Sequence, residues 1–212
     1  METTLETPHR SPSGYPMVFE IPRPASQSRL TNFPLGIGTF IRYILAIPHL
    51  VVLYFLGLAA LVVGFIADFA ILFTGSYPQG MFNFVLGIQR WNVNISAYIF
   101  GLRDEYPPFT TDAGRYPVTY DVEYPTGLNR ILNFPIFGIY IKLLLLIPHF
   151  VVLLFVYLAV YVVWFIAQFA ILFTGSYPEG MHRFSVGVLR WNQRLQIYLA
   201  SMTDKYPPFS TK

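Results

Sequence analysis

The amino-acid sequence predicts an all-α integral membrane protein made of two tandem repeats of about 100 residues. Hydrophobic residues make up 54% of the chain and charged residues 12%, which is about half the charged share of a soluble domain. Neither residues 43–67 nor residues 143–178 contain an Asp, Glu, Lys or Arg. Each run exceeds the roughly 20 apolar residues that cross a bilayer, so we expect both to lie in a membrane.

The repeats are visible in short motifs that recur 100 or 101 residues later. "LTNFP" at Leu30 returns as "ILNFP" at Ile131, "IPHLVVL" at Ile47 as "IPHFVVL" at Ile147, "FTGSYP" at Phe73 recurs at Phe173, and "DEYPPF" at Asp104 returns as "DKYPPF" at Asp204. We therefore divide the chain into an extended, flexible N-terminal segment, a first membrane repeat and a second one, with boundaries at 1–28, 29–112 and 113–212.

These motifs also resemble a known family. Ile-Pro-His, an apolar stretch, Thr-Gly-x-Tyr-Pro, Arg-Trp and Tyr-Pro-Pro-Phe follow one another as in the prokaryotic membrane proteins catalogued as domain of unknown function 4389. The resemblance covers nearly the whole chain, in two copies. It implies a bacterial or archaeal membrane protein and carries no activity with it.

The first apolar stretch of each repeat is too long for one simple crossing. Residues 35–75 would measure roughly 60 Å as a single helix, twice the thickness of a hydrocarbon core. We expect the stretch to fold back at Gly57, near Leu56–Leu58, into a helical hairpin in the bilayer. The alternative is one tilted span over 50–73, followed by a second span over 81–101.

The helix after the Thr-Gly-Ser-Tyr-Pro turn is amphipathic in both copies. Residues 81–102 and 181–202 repeat their apolar groups at helical spacing, which predicts interfacial helices. The residues expected to contact anionic lipid and to sit at headgroup depth are Arg90, Trp91, Arg183, Arg190, Trp191 and Arg194.

Basic residues and extended segments complete the predicted topology. Lys and Arg flank both apolar windows in the same way, which by the positive-inside rule puts the N-terminus, the linker and the C-terminus in the cytoplasm, beside the inner membrane. The alternating residues of Val118–Tyr124 predict a surface strand paired with Met17–Ile21.

A difference between the copies predicts how the repeats pack. Gly57, Ala60 and Gly64 form a stripe of small residues in the first copy, and the equivalent stripe of the second contains Tyr157 and Trp164. We expect this ridge to seat in that groove, because small residues let membrane helices approach closely. In the alternative, the aromatic side chains face lipid.

Few residues are candidates for chemistry. Asp68 is an acid inside an apolar run, but its counterpart Gln168 cannot titrate, so structural polar contacts are the favoured interpretation. His49 and His149 each follow a proline, and we expect each ring to donate to a carbonyl that the proline frees. Axial ligation of a haem by both histidines is the sharper alternative.

The sequence contains no catalytic motif, so we expect a non-enzymatic protein without a cofactor or metal. The favoured role is that of an accessory or scaffold subunit that contacts anionic lipids and other membrane proteins, and not nucleic acid. The alternative is a lipid or apolar-ligand binding or transport protein that uses the cleft between the repeats. A haem-binding or enzymatic membrane protein is the third possibility.

Overall fold

The computed structural model describes residues 14–212 and is mostly helical. Its elements are β1 (Met17–Glu20), α1 (Ile37–Thr74), α2 (Gln79–Ile99), β2 (Thr119–Val122), α3 (Phe137–Thr174) and α4 (Glu179–Leu199). When β1, which precedes residue 29, is counted with the first repeat, each repeat has one strand, one long apolar helix and one shorter helix in the same order. Residues 1–13 of the predicted N-terminal segment lie outside the described residues.

The long helices α1 and α3 are continuous, which corrects the predicted fold-back. Each has 38 residues and passes through the region of Leu56–Leu58, or its equivalent, without a turn. A glycine such as Gly57 costs a helix only about 1 kcal/mol relative to alanine, which is too little to break it in an apolar stretch. Both helices instead end at Gly75 and Gly175, whose left-handed backbone (φ 74° and 75°) favours glycine.

The shorter helix of each repeat packs antiparallel against the long one. In the first repeat, Arg42 of α1 donates to the Tyr98 carbonyl of α2, and Trp91 of α2 donates to His49 of α1. Residue numbers therefore rise along α1 where they fall along the facing part of α2, which makes the two helices antiparallel. The helical hairpin of each repeat is therefore the pair α1–α2 or α3–α4, and not a folded 35–75 segment.

The two repeats interlock so that α1 and α3 run antiparallel to each other. The C-terminal end of α1 lies at the start of the second repeat, where the Leu128 N–H donates to the Gly75 carbonyl at 2.9 Å. The C-terminal end of α3 lies at the start of the first repeat, where the Gln27 N–H donates to the Gly175 carbonyl at 2.8 Å. These equivalent contacts give the chain a pseudo-two-fold axis.

The predicted strand pairing is confirmed. Strands β1 and β2 form an antiparallel two-stranded ribbon in which Phe19 is opposite Tyr120 and Glu20 is opposite Thr119. Their alternate side chains are buried, including Met17, Phe19, Tyr120 and Val122. The strands belong to different repeats, so the ribbon lies on the pseudo-two-fold axis.

The strands are exchanged between the repeats. Strand β1, which precedes α1, packs against α4 of the second repeat, and β2, which precedes α3, packs against α2 of the first. Tyr15, Met17, Phe19 and Ile21 all belong to the hydrophobic core. The strand and the residues beside it within 14–28 are thus packed against the rest of the protein.

The predicted seating of a ridge in a groove is not present in the described residues. No Cα atom of α1 lies within 8 Å of one in α3. A Cβ atom added at Gly57 or Gly64 would meet nothing within 4 Å, so no side chain fills the small-residue stripe there. Instead, α1 contacts the chain after α4 through the Asp68–Ser201 hydrogen bond, and α3 shares a cleft with Phe100 and Leu102 of the chain after α2.

Candidate functional site

The largest functional feature is an exposed apolar surface on α1 and α3. Both helices are long and apolar enough to cross a membrane, with mean hydropathy of 2.7 and 2.8 in their most apolar windows. Only 11% of each window is buried, so neither is the core helix of a soluble domain. Buried positions follow one narrow stripe, and large side chains such as Phe55, Leu61, Phe155 and Leu158 are 64–72% exposed.

An apolar cleft opens beside this surface, at the boundary between the repeats. Tyr157, Val160, Tyr161 and Trp164 of α3 form one wall, and Phe100 and Leu102 of the first repeat contribute to the other. The cleft encloses about 70 Å³. This is smaller than the roughly 150 Å³ cavity that accepts benzene, so the cleft admits only the end of an apolar chain. The predicted ridge residues Tyr157 and Trp164 therefore line a cleft.

The arginines of the two Arg-Trp-Asn motifs hold the exchanged strands. Arg90 of α2 donates to the Tyr120 carbonyl of β2 at 3.0 Å and forms an ion pair with Asp121. Arg190 of α4 donates to the Phe19 carbonyl of β1 at 3.1 Å. Phe19 and Tyr120 are opposite each other in the ribbon, so the two arginines bind equivalent backbone positions from equivalent helices.

The other two predicted lipid-contacting arginines differ sharply from each other. Arg194 is 1% exposed, lies over the Tyr15 ring, and donates to the carbonyls of Ser210 and Lys212. Burial lowers the pKa of its guanidinium, and the nearby charge of Arg190 lowers that pKa further. Arg183 is 76% exposed and pairs only with Glu179 one turn away. Of the two, Arg183 is the one that lies on the protein surface.

Each tryptophan of these motifs binds the histidine of its own repeat. The Trp91 Nε1 donates to His49 Nδ1 at 2.9 Å, and the Trp191 Nε1 donates to His149 Nδ1 at 3.0 Å. Both tryptophans are buried within the protein. The acceptor role of Nδ1 requires the proton of a neutral ring to be on Nε2.

Aromatic rings enclose both histidines. Phe109 stacks on His49 with ring centroids 3.7 Å apart, and Phe209 stacks on His149 at 3.8 Å. The expected bond from each histidine to a freed carbonyl is not formed, because neither Nε2 atom has a hydrogen-bond partner. Tyr106 donates to the Leu45 carbonyl, near the break that Pro48 makes in the helix bonding. Tyr206 and Leu145 repeat this contact.

The structure does not bring the two histidines together. His49 and His149 lie in separate aromatic enclosures, each built by its own repeat. Because α1 and α3 run antiparallel, the two rings are on opposite sides of the pseudo-two-fold axis. Their Nδ1 atoms already accept hydrogen bonds, so the geometry does not fit axial ligation of one haem.

Asp68 takes part in a polar cluster that joins the repeats. Its Oδ1 accepts from the Ser201 hydroxyl at 2.8 Å, and Lys142 Nζ lies 2.8 Å from the same hydroxyl oxygen. Lys142 also donates to the Asn133 side chain at 2.7 Å. The serine thus links an acid of α1 to a buried base of α3. This matches the structural interpretation of Asp68.

The equivalent cluster in the first repeat lacks the serine. Gly101 takes its place, and Arg42 replaces Lys142, with bonds to Asn32 and an ion pair to Asp104. Gln168, the counterpart of Asp68, is 4% exposed, and both polar atoms of its amide lack a protein partner. The two copies therefore differ at the polar contact between the repeats.

Several structural residues had no clear signal in the sequence. Arg42 and Lys142 resemble ordinary basic flanks of a span, but each is 1% exposed. Tyr77 is also fully buried, and burial raises the pKa of its phenol. Only the recurrence of these positions in both copies could have indicated a role. Within residues 14–212, no group of three or more acidic or histidine side chains is arranged to hold a metal ion.

The fold and these contacts define a class of protein: a duplicated α-helical unit with exchanged strands and an exposed apolar helix pair. The chain belongs to the family described as Domain of unknown function (DUF4389), which matches residues 37–111 and 138–211. The first matched segment covers α1, α2 and the chain that follows them, and the second covers α3, α4 and the chain that follows them. Both strands lie outside the matched segments. No curated protein and no solved structure matches this sequence.

The contrast between Arg194 and Arg183 gives a first prediction. Arg194→Gln should lower the free energy of unfolding by about 3 kcal/mol, because buried carbonyls lose charged donors worth roughly 1.5–3 kcal/mol each. Arg183→Gln should change it by less than about 0.5 kcal/mol, as expected for an exposed i,i+4 pair. Denaturant unfolding in mild detergent, followed by tryptophan fluorescence, measures both. Equal effects of the two substitutions would contradict the assignment.

The Trp191–His149 bond gives a second prediction. Trp191→Phe should cost about 1–3 kcal/mol, because the buried His149 Nδ1 loses its donor. In a protein that already carries His149→Phe, the same change should cost clearly less. A double-mutant cycle of unfolding free energies separates the bond from the loss of ring volume. A coupling energy of zero would show that the hydrogen bond contributes nothing.

Proposed function

We propose that this protein is a non-enzymatic integral membrane protein that serves as an accessory or scaffold subunit of a membrane complex. The observation that carries the proposal is the exposed apolar side of α1 and α3. Water would solvate this surface at a cost of about 25 cal/mol for each Å² left exposed. A lipid environment removes that cost over the whole length of both helices.

The opposite side of the molecule supports a role in protein contacts. Glu20, Glu179, Arg183 and Arg190 line an open groove of about 360 Å³ between β1 and α4. Both signs of charge are present there, and His182 forms part of its floor with a neutral ring, since burial lowers its pKa. Such a mixed polar groove suits a protein partner better than a uniformly charged ligand.

Exposed basic residues support contact with anionic lipid. Arg29 and Arg130 are exposed and lie beside the C-terminal ends of the long helices, within 4 Å of the Cβ positions at Gly175 and Gly75. These two arginines place positive charge at both ends of the apolar surface. We propose the cytoplasmic side of a prokaryotic inner membrane as the location, with the linker and the C-terminus on that side.

A second candidate function, binding of a lipid or another apolar ligand, is favoured by the cleft between the repeats. Its walls are almost wholly apolar, and Tyr161, which is 58% exposed, lies at its mouth. An acyl chain could insert its end there while the rest of the lipid stays in the membrane. The cleft is thus suited to a lipid that is already in the bilayer.

Charges on the apolar surface test the membrane role. Phe55→Lys together with Phe155→Lys should reduce the amount of protein retained in membranes after a carbonate wash. Each lysine costs about 2.5–3.5 kcal/mol at the centre of a membrane helix. The matched control is Ala113→Lys with Thr119→Lys, which adds the same charge at exposed positions outside the long helices and should leave retention unchanged. A wild-type protein found as a soluble oligomer would contradict the proposal.

Filling the cleft tests the second candidate. Val160→Phe should reduce the lipid that remains bound through purification, as counted by native mass spectrometry. Overpacking of about 1–3 kcal/mol corresponds to roughly 5- to 150-fold weaker binding. Val162→Phe lies on the same helix but on its exposed side, and it should retain wild-type occupancy. If both variants carry the wild-type amount of lipid, the cleft is not the binding site.

A further inference from the structure

The uncharged surface of the long helices is longer than a bilayer is thick. A helix of 38 residues measures about 57 Å, almost twice the roughly 30 Å of a hydrocarbon core. The charged residues within α1 and α3 are Arg42, Asp68 and Lys142, and all three are directed into the protein. The exposed side is therefore apolar from one end to the other. A helix that crossed the bilayer upright would leave nearly half of this surface in water.

The position of the ribbon opposes an upright orientation for a second reason. Strands β1 and β2 lie on the pseudo-two-fold axis, and that axis passes midway along the antiparallel pair of α1 and α3. The exposed acids of the ribbon region, Glu20, Asp121 and Glu123, are thus level with the middle of the helices. If the helices stood upright, these acids would lie at the bilayer centre, where each costs about 2.5–3.5 kcal/mol on insertion scales.

We propose that α1 and α3 lie flat within a single leaflet, with the pseudo-two-fold axis along the membrane normal and the ribbon on the aqueous side. This inference rests on the proposed membrane insertion. A helix about 10 Å across fits within one leaflet, which has roughly half the thickness of the hydrocarbon core. The full apolar length then contacts acyl chains, and helices α2 and α4 form the layer between these chains and the ribbon.

The flat orientation fixes on which side each loop lies. Ser76 and Ser176 occupy equivalent turns, which follow α1 and α3. Because α1 and α3 are antiparallel, these two turns lie at opposite ends of the apolar surface. In the flat orientation both serines, and Ala113 in the linker, are on one side of the membrane. In an upright arrangement of the same fold, Ser76 and Ser176 would be on opposite sides.

Single-cysteine labelling of the full chain tests this difference directly. The sequence has no cysteine, so Ser76→Cys, Ser176→Cys and Ala113→Cys each create one unique thiol. A membrane-impermeant maleimide is applied to right-side-out and to inverted membrane vesicles from the expressing cells. Detergent-solubilised samples give the full labelling that serves as the reference for each variant.

We expect all three thiols to react from the same side and to lose that labelling in vesicles of the opposite orientation. Reaction of Ser76→Cys and Ser176→Cys from opposite sides would overturn the flat orientation. So would reaction of both from the side opposite Ala113→Cys, or protection of either one in both kinds of vesicle. Each of these outcomes leaves membrane insertion intact, whereas a protein missing from the vesicles would refute insertion itself.

Discussion

The structure depends on the exchange of an N-terminal strand between the two repeats. An arginine at the middle of each amphipathic helix donates to a backbone carbonyl of the other repeat's strand, as Arg90 does to Tyr120 and Arg190 to Phe19. Each strand is therefore held by a helix of the other repeat and also paired with that repeat's strand. The antiparallel order of α1 and α3 follows from this crossing of the chain.

The polar motifs of the sequence are explained by the same architecture. Tryptophan binds the histidine that follows the helix proline, and tyrosine of the Tyr-Pro-Pro-Phe motif donates to a nearby helix carbonyl. Aspartate of the same segment accepts from Asn32 or Asn133 in the chain that leads into the long helix. These recurrent polar residues thus join the segments of a repeat to one another. This gives the repeated motifs a structural purpose in both copies.

The sequence predicted those features that depend on local pattern. The duplication, the family, the long apolar stretches, the amphipathic helices and the pairing of Met17–Ile21 with Val118–Tyr124 could all be read from motif recurrence and side-chain periodicity. The prediction of an interior turn at Gly57 was wrong, because one glycine is a weak helix breaker. The length argument also applied only to a helix that stands upright in a bilayer. Bilayer thickness limits helix length only for a helix that crosses.

The partners of individual side chains could not be predicted, because they depend on the exchange. Arg194 and Arg183 look alike on a helical wheel, yet one is buried under the chain that follows α4 and the other is exposed. The small-residue stripe of Gly57 and Gly64 suggested contact with α3, but pattern alone does not show which segments lie between two helices. Sequence therefore identified the recurring residues without identifying what each one binds.

The exchanged strands have a consequence for how such a chain arises and assembles. A helix pair without the strand of its neighbour leaves the middle of its outer layer uncovered, and a lone strand has no partner for its backbone. A polypeptide with only one repeat is therefore complete only when a second copy supplies the missing arm, that is, as a symmetric homodimer. When two copies are joined in one gene, they no longer have to associate as separate chains. Each copy can then change in sequence without the same change appearing in the other. The two copies do differ at the polar contact between the repeats, where Gly101 corresponds to Ser201 and Arg42 to Lys142.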